Sequence, residues 1–105
     1  MPKATIAVNT KNSTPILTSG NVLNMIYTPG TMTSTTFTFL VSYSVDGIYC
    51  PLDDGSGNLY TVTFVAGRAV PVDASLFASV AGVIIVAGST ELTTAKELQL
   101  TLIPR

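Results

Sequence analysis

The sequence predicts an all-β chain: an antiparallel β-sandwich, jelly-roll-like or immunoglobulin-like, with at most one short helical turn. Three observations predict it. Short runs in which apolar and polar residues alternate recur along the chain, as in strands buried on one face. Clusters of Gly, Asn, Asp, Pro and Ser separate these runs at the short spacing typical of sandwiches and barrels. Thr is the commonest residue, with sixteen copies, and its stiff β-branched side chain suits a pleated, half-exposed surface.

The first predicted strand is Ala4 to Val8, where Ile6 and Val8 alternate with Thr5 and Ala7. Asn9 to Thr14 is a polar turn, and Ile16-Leu17 a short second strand ended by Ser19-Gly20-Asn21. Val22 to Tyr27 is the third, ended by Pro29-Gly30. Thr36 to Val45 is the clearest strand. Phe37, Phe39, Val41, Tyr43 and Val45 fall on one face, with Thr38, Leu40, Ser42 and Ser44 on the other. Asp46-Gly47 is a strong hairpin signal, returning as Ile48 to Leu52. The run Asp53-Asp54-Gly55-Ser56-Gly57-Asn58 is a second turn.

Leu59 to Val65 alternates again, and Ala66-Gly67 turns it into Arg68 to Val72. Asp73 reads as the N-cap of a single helical turn over Ala74 to Phe77. Val83 to Ala87 is a buried strand, Gly88 to Lys96 a polar loop, and Glu97 to Ile103 the closing strand. The predicted core is Phe37, Phe39, Val41, Tyr43, Val62, Phe64, Val83, Ile85, Leu98, Leu100 and Leu102. The 105 residues form one domain, with residues 1–17 a docking or strand-exchange arm.

Charge is the unusual feature. Only 10% of the chain is Asp, Glu, Lys or Arg, where a soluble domain has about a quarter. Mean hydropathy is nevertheless positive, at +0.50. Such a surface suits burial in an assembly better than free solution. With 5 basic residues, scattered, and a net charge of −1, nucleic acid is not an expected partner. The longest apolar run, Val80 to Gly88, is about half of what a spanning helix needs, so no membrane is expected either. Residues 1–5 lack the apolar stretch of a secretory signal, which predicts assembly in a cytoplasm.

Candidate chemistry is sparse. There is no His, so Ser–His and Cys–His catalysis fall away. The lone Cys50, between Tyr49 and Pro51, reads as a small buried hydrophobe. The Asp53–Asn58 loop carries oxygens that suit Ca²⁺, but it lacks the EF-hand spacing and closing Glu, and the same residues make a tight turn. Asp46, Asp54 and Asp73 each sit at a turn or a helix start. No enzyme activity, cofactor or metal is expected.

From the centre onward the chain resembles small tailed-bacteriophage and prophage virion proteins. The residues are Ser44-Val45-Asp46-Gly47-Ile48-Tyr49, then Leu52, Asp54 and Gly57-Asn58, then Tyr60 to Phe64 and Ala66 to Asp73. Leu76-Phe77-Ala78, the strand and turn over Val83 to Thr90, and Leu98 to Leu102 continue the likeness over residues 36 to 105. Cys50-Pro51 and Ser79-Val80-Ala81 depart from it. The resemblance implies a structural β-sandwich on the capsid surface: a decoration (cement) protein that holds the major capsid protein through multivalent contacts. The low charge content predicts a homo-oligomer, and the resemblance implies that it is a trimer. Ile6, Val8, Ile16 and Leu17 are the candidate assembly contacts, and deleting Met1 to Thr14 is expected to leave the sandwich folded. The alternative is a carbohydrate- or receptor-binding sandwich of a tail or fibre. An exposed aromatic pair beside the Asp53–Asn58 loop would mark it.

Overall fold

A computed structural model describes residues 3–18, 20–32, 34–43, 47–78, 80–89 and 95–104. Two antiparallel sheets pack face to face. One sheet has the order β1-β9-β3-β7, built from Lys3–Ile6, Lys96–Pro104, Asn21–Tyr27 and Ala69–Pro71. The other has the order β2-β8-β4-β5, built from Ile16–Leu17, Gly82–Ala87, Thr36–Ser42 and Cys50–Pro51, and β6 (Val62–Thr63) also pairs with β4.

β5 and β6 are two halves of one strand. Along β4, Val41 and Leu40 pair with Cys50 and Pro51, and Leu52 N–H donates to Phe39 O. Phe37 and Thr36 then pair with Val62 and Thr63, and Phe64 N–H donates to Thr35 O. Between these stretches the chain leaves the sheet as a small hairpin, with Asp53 bridged to Leu59. Counted this way, each sheet has four strands and the pairings nest. The first strand pairs with the last, the second with the last but one, β3 with β7, and β4 with β5/β6. That is a long antiparallel hairpin rolled up, the jelly-roll arrangement, and not the immunoglobulin strand order.

The only helical element among the described residues is a single 3₁₀ turn over Ala74–Phe77. Asp73 caps it as the sequence predicts, its carboxylate accepting from Ser75 N–H. The strands are mostly shorter than the sequence suggests. The strand expected over Thr36 to Val45 ends at Ser42, and that over Leu59 to Val65 keeps only Val62–Thr63 in the ladder. Asp46 of the expected hairpin, and residues 90–94 of the expected polar loop, lie outside the described residues.

Seven predicted core residues are buried: Phe37, Phe39, Phe64, Val83, Ile85, Leu98 and Leu100. Val41, Val62 and Leu102 are half-buried and pack against that core. Tyr43 is a correction. It is 85% exposed, because β4 has ended before its position and the alternating register no longer turns it inward. Aromatic rings fill the middle. Phe37 stacks on Phe64 with centroids 4.2 Å apart, and Phe39 stands edge-on to Phe77 at 5.3 Å. Tyr60 stacks on Phe39 at 5.7 Å and its hydroxyl accepts from Asp73 N–H.

The N-terminal segment is woven into the sandwich. β1 pairs with β9, and Ile6 and Ile16 lie in this chain's own core. Residues 11–18 then run along β8. Ala87 N–H donates to Lys11 O, Ser13 N–H to Ile85 O, and Thr18 N–H to Ala81 O. Ser13 Oγ accepts from Ile85 N–H, while Thr14 N–H donates to Thr5 O in the opposite sheet. Ile6 and Ile16 are therefore not free anchors for a neighbour. Val8 and Leu17, 42% and 51% exposed, are the two candidate contacts left on the surface.

Two outcomes follow for stability. Phe39→Ala removes a ring packed against two others and is expected to cost about 3–5 kcal/mol in denaturant unfolding. Deleting residues 1–14 strips the β1 edge and part of the cover of β8. The cooperative thermal transition followed by circular dichroism is then expected to disappear, where a dispensable arm would leave it in place.

Candidate interaction surface

The two outer faces of the sandwich differ in chemistry. On the β1-β9-β3-β7 sheet, Lys3 and Thr5 of β1 pair with Gln99 and Glu97 of β9, and these four point outward. Lys3 Nζ lies 3.7 Å from Glu97 Oε1, and Gln99 Nε2 donates to the same oxygen. An exposed pair of this kind contributes little stability. It does keep this face wet.

The other outer face carries no charged side chain in its paired rows among the described residues; Lys11 and Asp53 stand at its two edges. Its rows follow from the register. Leu17, Gly82 and Ser42 form one row, Ile84, Leu40 and Pro51 the next, and Asn12, Val86 and Thr38 the third. β8 is the source of the asymmetry. Val83, Ile85 and Ala87 point into the core, yet Ile84 and Val86, on the opposite parity, are apolar too. A strand apolar on both parities is the pattern of one covered on both sides.

Tyr49 lies across the first row. A Cβ at Gly82 would collide with the Tyr49 hydroxyl, so the ring passes over the glycine beside the buried Ser42. Glycine at 82 is what lets the tyrosine lie flat on the sheet.

Three of the sheet edges are blocked to further strands, at β5, β7 and β1. In β5, Cys50 and Leu52 direct their backbone groups to β4, which leaves Pro51 facing outward with no N–H to offer. In β7, Thr28 N–H donates to Arg68 O and Val72 N–H to Asn24 O, so Pro71 likewise faces away from β3. On β1, Thr14 takes up Thr5: its Oγ1 accepts from Thr5 N–H and its own N–H donates to Thr5 O. Proline and side-chain caps of this kind prevent strand addition.

The remaining candidates resolve into structure. Asp53 Oδ2 accepts from Gly55 N–H at 2.7 Å and Gly57 N–H at 3.4 Å. Asp54 Oδ1 accepts from Ser56 N–H at 2.7 Å and Asn58 N–H at 3.4 Å. Gly55 and Gly57 supply the positive φ angles, +93° and +92°, that such a loop requires. Both carboxylates thus brace a turn, the reading favoured over a Ca²⁺ loop. Asp73 holds the 3₁₀ turn, its carboxylate accepting from Ser75 N–H and Ser75 Oγ.

Cys50 is a correction: it is exposed. Its strand is only two residues long and lies at the sheet's edge, so the thiol reaches a cavity of about 680 Å³ at the end of the sandwich. Val41, Tyr43, Ile48 and Val80 also line that cavity, and among the described residues its lining contains no charged side chain. Lys96, expected in a loop, begins β9 and is only 2% exposed, with its ammonium donating to Thr31 Oγ1 at 3.1 Å.

Sequence reasoning named Leu17 on this neutral face but missed Leu40, Tyr49, Ile84 and Val86. The signal was present in the unbroken run Val83-Ile84-Ile85-Val86, in which both parities are apolar. No family model, curated protein or solved structure matches the chain.

The Tyr49–Gly82 contact gives a testable coupling. Gly82→Ala is expected to destabilise the fold by about 1 kcal/mol, the low end of overpacking. In a Tyr49→Phe background the closest clash is gone, so the same change should cost less. A double-mutant cycle by chemical denaturation measures the difference.

Proposed function

We propose that this chain is a structural subunit of a virion, most specifically a capsid decoration protein, and that it works by surface contact without catalysis. The carrying observation is the neutral face: Leu17, Leu40, Ile84 and Val86 on three strands, with Tyr49 laid over Gly82, and no charged side chain in its paired rows among the described residues. An apolar patch of this kind is a mark of protein contact. The engagement of the carboxylates in turns supports a role outside catalysis. Asp53, Asp54 and Asp73 are each committed to backbone N–H groups.

The fold adds an analogy. Jelly rolls recur in viral capsid and lectin domains, which raises the weight of both readings without assigning either. The feature that would favour a glycan-binding module is an aromatic pair exposed beside the acidic loop. The aromatic next to that loop, Tyr60, instead turns inward onto Phe39 and Phe77. The capsid reading therefore stands first. Its partners are the major capsid protein and further copies of this chain, at the surface of the shell.

Co-sedimentation tests it. Purified protein mixed with undecorated tailed-phage heads is expected to pellet with them to a saturating ratio. Protein that stays in the supernatant at every head concentration would remove the proposal.

A further inference from the structure

We infer that the neutral face of the β2-β8-β4-β5/β6 sheet seats the same face of a second copy, giving a two-fold dimer with sheet packed on sheet. The inference rests on the reading of the chain as an assembly subunit and names the first occupant of that surface.

Four observations identify the occupant. The first is the double apolar parity of β8. Ile84 and Val86, with Leu40 beside them, form the middle of the face, where a second sheet packs about 10 Å away. The second is area. The molecule measures 34 × 31 × 24 Å and exposes 5476 Å². A stable interface takes about 800 Å² from each partner, which a broad face of these dimensions supplies and a sheet edge does not. The third is the blocked edges. Pro51, Pro71 and the Thr14–Thr5 bonds interrupt the ladders of the β5, β7 and β1 edges, which favours a meeting of two copies by their faces.

The fourth is charge at the rim. Lys11 flanks β8 at the level of Ala87, which pairs with Phe37. On the opposite edge Leu52 bonds to Phe39, which places Asp53 one residue further along, level with Thr38. Lys11 and the Asp53–Asp54 loop therefore stand at opposite edges of the face and within about 3–4 Å of the same height along the strands. A two-fold axis lying in the face parallel to the strands carries the Lys11 edge of one copy over the acidic edge of the other, and does so twice. The neutral centre meets itself without like-charge repulsion, and the rim pairs opposite signs.

Sedimentation equilibrium of the full chain, with a thiol reductant to exclude Cys50 cross-links, tests this. The expected mass is that of two subunits. Ile84→Lys places a charge at the centre of the face and is expected to raise the dimer dissociation constant about a hundredfold or more. Thr38→Lys, at a position of the same face that is already polar, makes the same test should Ile84→Lys fail to fold. Gln99→Lys, on the opposite face, is expected to leave the mass unchanged. Lys11→Glu should weaken the dimer, and Asp54→Lys in the same chain should restore it.

A monomer at every concentration, a three-subunit mass, or a dimer indifferent to both Ile84→Lys and Thr38→Lys would overturn the inference. The head co-sedimentation separates the two claims. A monomer that pellets with heads keeps the capsid reading and removes the dimer, whereas a dimer that ignores heads does the reverse.

Discussion

Everything in this fold depends on closing one rolled hairpin. Its nested pairs are distant in sequence: β1 meets β9, and β2 meets β8. Closing such loops costs chain entropy before any contact repays it. The repayment comes in the middle of the sheets, where β4–β8 and β3–β9 zip the two arms together. Phe37, Phe39, Ile26, Ile85, Leu98 and Leu100 are buried there. Residues 11–18 then tie the two sheets at one edge, with Ser13 bonded to Ile85 on one side and Thr14 to Thr5 on the other.

That closure shapes the surface. A strand such as β8 earns its place between β2 and β4 with its inward residues alone, so the apolar side chains on its outer parity need another explanation. The same sheet has its edge shielded by Pro51 and lacks charge across its face, while the opposite sheet carries the Lys3–Glu97 pair. Low overall charge is thus not spread evenly. The described charges lie on one sheet, in loops, or in the case of Lys96 inside the molecule.

Much of the fold was legible in the sequence because alternation and turn chemistry are local. The aromatic parity of Phe37 and Phe39, the Asp73 cap and the Asp53–Asn58 turn could each be read from neighbouring residues alone. What depends on distant partners could not. The N-terminal segment looked detachable because Ile6 and Ile16 have no local reason to be core; β9 and β8 supply it. Tyr43 continued the alternation of β4 on paper, but the ladder stops at Ser42. Cys50 had the composition of a core position and ended at an edge, because its strand is two residues long. The neutral face was half legible. The run Val83 to Val86 announced a strand apolar on both parities, while Tyr49 lying over Gly82 required the register of three strands to be known.

Small-angle X-ray scattering tests the central claim, that the molecule's assembly surface is the neutral face, by reporting how two copies are arranged. The single chain has a Cα radius of gyration of 12.7 Å. Stacking two sandwiches face to face places their centres about 20–24 Å apart and predicts a radius of gyration of about 17 Å. Joining them edge to edge separates the centres by the longer dimensions of the molecule, 31 or 34 Å, and gives about 20–21 Å. A two-subunit particle near 17 Å agrees with contact through the neutral face; one at about 20–21 Å contradicts it.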